Sequence, residues 1–229
     1  CSIPFGIFSK PNTDLNTFDV LDRSKTIMDK SIFGHDDAKR KIQKVLAQQL
    51  SSSNEDGDIL GIVGPPGIGK TTLIREGISK ALGRPFTFVS LGGVSDASFL
   101  EGHQFTYEGS LWGKIVDILI TTKCMNPVIL FDEVDKISET RKGQEIVSKL
   151  IHIIDTTQNA EFRDKYFASL SIDLSQVTFL FSLNDASKLD PVLRDRITLV
   201  ELGEFSLDDK LGIIKHSLWS NVLNKVGMD

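Results

Sequence analysis

The stretch GPPGIGKTT, residues 64–72, constrains the fold more than any other part of this 229-residue chain. Gly64, Gly69, Lys70 and Thr71 complete the pattern G-x-x-x-x-G-K-[ST]. That pattern works in one setting: a buried strand leads in and a helix leads out. The apolar run ILGIV, residues 59–63, precedes it, and Ile74, Ile78, Ala81 and Leu82 follow at helical spacing. In that setting the glycines let the backbone curl, so that successive N–H groups point inward at phosphate oxygens. The helix N-terminus adds its positive dipole end beneath them. Lys70 is placed for the β- and γ-phosphates and the Thr71 hydroxyl for Mg²⁺. Gly64, Pro65, Pro66, Gly67, Ile68, Gly69, Lys70, Thr71 and Thr72 therefore form the expected nucleotide cradle.

Further strands and helices alternate along the chain. Residues 36–50 read as a helix, with Ala38, Ile42, Val45, Leu46 and Leu50 on one face and Asp36 at its start. The polar stretch 51–58 reads as a loop. Strands are expected at 86–90, 128–135, 177–184 and 197–202, and helices at 113–122 and 145–154. A last helix runs from Leu207 to Trp219, capped by Ser206. Residues 1–31 carry turn-forming residues at their start and are expected to be an irregular lead-in. The alternation argues for an α/β fold, a parallel five-stranded sheet sandwiched by helices. Ligands of such sheets bind at the carboxyl ends of the strands.

Three groups fall at that edge. Asp132 and Glu133 follow the apolar VILF: Asp132 suits an indirect Mg²⁺ contact opposite Thr71, and Glu133 suits a general base for water. Asn184 ends the next strand, where a neutral amide can orient water and sense a γ-phosphate. Its residues alone serve equally well for a turn before Asp185. Arg194 and Arg196, in LRDR, are surface arginines beside Asp195 unless a phosphoryl group comes near, where an arginine stabilises developing charge.

Composition narrows the classes. The net charge of −5 leaves no basic surface over the whole chain for nucleic acid. Two cysteines, Cys1 and Cys124, make neither a disulfide framework nor a zinc site. His35, His103, His152 and His216 lack metal-ligand spacing. No apolar run reaches the length of a membrane span, and no secretory signal opens the chain. An intracellular, soluble protein is expected, with cytoplasm and mitochondrial matrix left open.

With these motifs in place, the chain resembles the AAA+ ATPase module of the Lon protease family. The segments LGGVSDASFLEGHQFTYEGSLWGKI, NPVILFDEVDKI, DTTQNAEFRDKYF, DLSQVTFLFSLND and PVLRDRI look like Lon segments in the right order, from about Ile32 to Trp219. The resemblance implies roles. Lys70 and Thr71 are the Walker A pair, and Asp132 and Glu133 the Walker B pair. Asn184 is sensor 1, and Arg196 is an arginine finger reaching a neighbouring subunit. Phe33 and Gly34 lie on the adenine side. Tyr107, followed by Glu108, is the aromatic of a pore loop. It implies ATP/ADP and Mg²⁺ as cofactors, a homohexamer, and unfolded or damaged protein as substrate. It also divides the chain into a lead-in (1–31), a large α/β domain (32–202) and the start of a small helical lid (203–229).

The sequence departs from the family pattern at Glu108, where an aliphatic residue is usual, and at Trp112, in place of proline. One extra residue separates Asn184 from Arg196. The expected identity is a piece of a longer protein that carries sensor 2 and any Ser-Lys peptidase site elsewhere. By itself the piece is expected to be monomeric or weakly associating, and to bind nucleotide with weak turnover. Two rivals remain open: a nucleotide-binding scaffold without turnover, and an AAA+ machine acting on nucleic acid. Phe86, Phe88, Phe179 and Phe181 are read as sheet residues rather than a stacking platform for bases.

Overall fold

The computed structural model describes residues 3–9, 17–51, 59–106 and 109–214. Strands β1 (Ile59–Val63), β2 (Phe86–Ser90), β3 (Val128–Asp132), β4 (Thr178–Leu183) and β5 (Ile197–Glu201) form one sheet in the order β2-β3-β4-β1-β5. Every pairing is parallel.

The register explains why the chemistry collects at one edge. Asp132 pairs with Ser90 on one side and Ser182 on the other. Val63 pairs with Leu183 and Glu201. All five strands thus end together, and the turns that leave them carry the polar groups.

The core lies on both faces, sorted by strand alternation. Ile129 and Phe131 of β3 and Phe179 and Phe181 of β4 face one layer, with Ile115, Leu119, Ile146 and Leu150 from the helices Lys114–Thr122 and Arg141–Ile154. Val128, Leu130 and Leu180 face the other, with Ile42, Leu46, Leu73 and Ile78. Phe179 and Phe181 are buried, which suits their reading as sheet residues, whereas Phe88 on the edge strand β2 is half in solvent.

Element boundaries shift from the sequence reading in three places. β3 ends at Asp132, because Glu133 takes a left-handed backbone (φ 59°) and Val134–Lys136 winds into a 3-10 turn. The helix expected from 145 starts at Arg141, one turn earlier, where the Thr140 hydroxyl caps it by accepting from Gly143 N. Residues 17–31, expected to be irregular, are a helix, Thr17–Ser31. Its Met28 is fully buried and lies close to Gly77 of the helical run after the phosphate loop. The helix was hard to read because most of its residues are polar and its apolar face is narrow. Residues 3–9 are also tied down: Asn126 exchanges two hydrogen bonds with the Ser9 backbone, at 2.7 and 2.8 Å. The last helix is described from Leu207 to Ile213. Its expected continuation to Trp219 lies mostly outside the described residues.

Candidate nucleotide site

The loop between β1 and the following helical run curls as its glycines demand. Gly67 and Gly69 adopt φ of 82° and 90°, in the left-handed region. A methyl group at Gly69 would stand 2.5 Å from Ile32 Cδ1, and one at Gly64 would stand 2.5 Å from the Leu202 carbonyl oxygen. Neither position has room for a side chain. Ile68, by contrast, is buried in the core, so it anchors the loop from behind.

Lys70 is buried, and its ammonium donates to three oxygens: Gly64 O at 2.5 Å, Pro65 O at 3.0 Å and Asn184 Oδ1 at 2.8 Å. Burial lowers its pKa from the ordinary lysine value, and the carboxylates of Asp132 and Asp135 oppose that shift. The contact with Asn184 joins the turns that leave the first and fourth strands.

A cavity of about 410 Å³ opens above this point. Pro66, Gly67, Gly69, Lys70, Thr71 and Thr72 form one wall; Asp132, Glu133, Lys136 and Asn184 form the other. Walker A, Walker B and sensor positions, expected separately, therefore meet in one space. Glu133 is held at both carboxylate oxygens: Ser90 Oγ donates to Oε2 at 3.2 Å, and Lys136 Nζ pairs with Oε1. These contacts, Lys136 first, hold the Glu133 carboxyl below the usual range.

Three expected residues stand elsewhere. Phe33 and Gly34 are not among the residues that line the cavity. A methyl at Gly34 would sit 3.4 Å from Asp209 Oδ1, and the Phe33 ring lies against Gly212, so both face the last helix. Arg196 is likewise outside the cavity: its Nη1 donates to Asp155 Oδ2 at 2.8 Å. Asp155 stays below the ordinary carboxylate range, chiefly through the Thr157 hydroxyl and also through Arg196. Tyr107 and Glu108 lie outside the described residues.

Sequence reading passed over Lys136, Ser90 and Asp135. For Lys136, the signal was its spacing of three from Glu133, which a single 3-10 turn brings together. For Asp135, no signal existed, because its partner is 49 positions away. Its Oδ2 accepts from the backbone N–H of Asn184 at 3.1 Å and of Asp185 at 3.2 Å. This carboxylate fixes the turn that presents the Asn184 amide. Asp135→Ala is expected to lower stability by about 2 kcal/mol, since two N–H groups lose a charged acceptor. Urea denaturation measures it; an unchanged midpoint would mean that the turn holds itself.

Among the described residues no three His, Cys, Asp or Glu side chains gather as a metal cluster. No described helix is long and apolar enough to cross a membrane.

The family model for "ATPase family associated with various cellular activities (AAA)" matches residues 60–203, the span from β1 to just past β5. The chain belongs to the AAA family of ATPases. Among its relatives, the Lon protease homolog of Acanthamoeba polyphaga mimivirus is 39% identical over 203 residues, 88% of this chain and 20% of that protein. The peroxisomal Lon protease homolog 2 of Caenorhabditis elegans is 38% identical over 205 residues, 90% of this chain and 26% of that protein. The mitochondrial Lon protease homolog of Candida albicans is 36% identical over 227 residues, 99% of this chain and 20% of that protein. The chain thus spans about a fifth to a quarter of the length of these curated relatives. The Lon resemblance read from the motifs is borne out, and this AAA chain is a nucleotide-binding ATPase module similar to those of Lon proteases.

Proposed function

We propose that this module is the ATP-hydrolysing motor of a longer, Lon-like protein that unfolds and moves protein substrates. The observation that carries this reading is the single cavity in which Lys70, Thr71, Asp132, Glu133 and Asn184 meet. Lys70 and the loop N–H groups hold the ATP phosphates. Asn184, already bound to Lys70, senses the terminal phosphate. Glu133 accepts the proton of the attacking water as general base. Thr71 and Asp132 offer hard oxygen donors on facing walls, a set that fits Mg²⁺ retaining part of its water shell. Bound there, the ion would neutralise charge on the phosphates. Phe33 and Gly34 flank the adenine side, at the boundary between the large domain (32–202) and the lid that begins at 203.

The remaining roles need a ring. Six copies would place Arg196 beside a neighbour's nucleotide and would gather the Tyr107–Glu108 loops around a central channel. Unfolded or damaged polypeptide is the substrate that such a channel admits. An intracellular compartment suits that work, and relatives named for peroxisome and mitochondrion leave the choice open. Glu133 at the cavity wall speaks against a scaffold without turnover, and the net charge of −5 against a nucleic-acid machine.

The test is steady-state ATP hydrolysis by the full-length protein, with and without unfolded casein. Hydrolysis that rises severalfold with casein is expected. ATP binding without turnover in either condition would overturn the motor reading in favour of the scaffold.

A further inference from the structure

Directly after Glu133, residues Val134–Lys136 wind a single 3-10 turn. Its backbone is held along its length. Val134 is buried, Asp135 Oδ2 accepts from the N–H groups of Asn184 and Asp185, and Lys136 N donates to Glu133 O at 3.0 Å. The Lys136 side chain stands apart from this order. It is 51% exposed, it lines the nucleotide cavity, and its ammonium rests on Glu133 Oε1. A braced turn thus presents a long, mobile cation to the space where phosphates are expected.

Two lysines line that cavity among the described residues, and they are placed differently. Lys70 is buried, and its ammonium donates to Gly64 O, Pro65 O and Asn184 Oδ1. An ammonium has three N–H donors, so each of them has an acceptor there. Lys136 is a point charge on a flexible four-carbon stem, and its partner is a partly exposed carboxylate. Ion pairs of that kind are weak, because solvent screens them. A phosphate offers more charge and more acceptor oxygens inside a concave site, so it draws a mobile ammonium more strongly than one carboxylate does. The cavity also has a use for that cation. Asp132 and Glu133 line the same wall, and both repel a polyphosphate.

We propose that Lys136 is a ligand of the terminal phosphate and sets the preference of this site for ATP over ADP. The proposal rests on the nucleotide-site reading above and adds one residue to it. The fold places Lys136 for this task. The turn that carries it also pins the Asn184 backbone through Asp135, so Lys136 and the Asn184 amide are presented by one braced unit. Asn184 meets Lys70, and Lys136 meets Glu133, so a single turn connects the loop side of the cavity with its acidic side. Lys136 then moves between two anions. With the cavity empty, or with ADP, it stays on Glu133 Oε1. With ATP it passes to the terminal phosphate, the group that ADP lacks.

The experiment is a double-mutant cycle read by binding alone. Full-length protein is titrated calorimetrically with ADP and with a non-hydrolysable ATP analogue, as wild type, Lys136→Ala, Glu133→Gln and the double variant. Lys136→Ala is expected to weaken the ATP analogue about tenfold and ADP by about twofold at most. The same selective loss is expected between Glu133→Gln and the double variant, where no carboxylate at residue 133 is left to repel phosphate. A selective loss that vanishes in the Glu133→Gln background would overturn the proposal, because Lys136 would then serve only to neutralise Glu133. Equal weakening of both nucleotides, or titrations that do not change, would overturn it as well. A wild type that binds neither nucleotide would fail the nucleotide-site reading itself. Should the alanine variant not fold, Lys136→Gln, which keeps most of the stem and loses the charge, carries the same test.

Discussion

Replacing Glu133 with glutamine is expected to lower ATP turnover by about 10²–10⁴-fold in the full-length protein, with nucleotide still bound. The substitution keeps the shape of the side chain and one oxygen acceptor, so the Ser90 contact and the left-handed turn at residue 133 can persist. The lost property is the ability to take a proton. Phosphate binding falls to other groups: the loop 64–69, Lys70 and Thr71. Removing a negative charge from the cavity wall also weakens repulsion of the phosphates, so affinity is expected to hold or rise. Steady-state hydrolysis together with titration of a fluorescent nucleotide separates the two effects. Turnover within a few-fold of wild type would mean that another group handles the proton. A parallel loss of binding would mean that the Glu133–Lys136 pair supports the cavity itself.

The parts of this chain legible in its sequence are those whose constraints are local. The phosphate loop needs glycines at fixed positions, and it carries them: Gly67 and Gly69 both sit at positive φ. β1, β3 and β4 are covered on both faces, so they read as unbroken apolar runs, ILGIV, VILF and FLF. Strand ends then located Asp132, Glu133 and Asn184, which the structure brings into one cavity.

What escaped depends on distance along the chain. Asp135 matters because it accepts from Asn184 and Asp185, and nothing near residue 135 announces that partner. The helix Thr17–Ser31 is fixed by tertiary contact around Met28 and not by a strong apolar stripe. The cluster of Phe105, Trp112, Tyr166 and Phe167 unites two segments more than fifty positions apart, so nothing in the sequence around Trp112 announces its ring partners.

Arg196→Ala is expected to lower hydrolysis by about 10³–10⁵-fold in the assembled protein, without weakening nucleotide binding. Arg196 stands outside its own cavity, with its Nη1 on Asp155. One guanidinium nitrogen is thereby committed to the carboxylate and the side chain is steered, while the planar fork carries further N–H donors. Asp155 follows directly on the helix Arg141–Ile154, so the arginine is braced at the end of an element whose core face is buried. An arginine so placed acts on a neighbour's phosphates or on none. Mixing decides between these. Subunits with Arg196→Ala keep their Glu133, and subunits with Glu133→Gln keep their Arg196. In mixed rings at equal proportions about a quarter of the interfaces pair an intact Glu133 with an intact neighbouring Arg196. Hydrolysis that is absent from each variant alone and returns on mixing would establish action between subunits. If mixing restores nothing, the Arg196–Asp155 pair is a brace within one chain, and the charge on the transferring phosphoryl group must be met by Lys70 and Lys136 from the cavity's own walls.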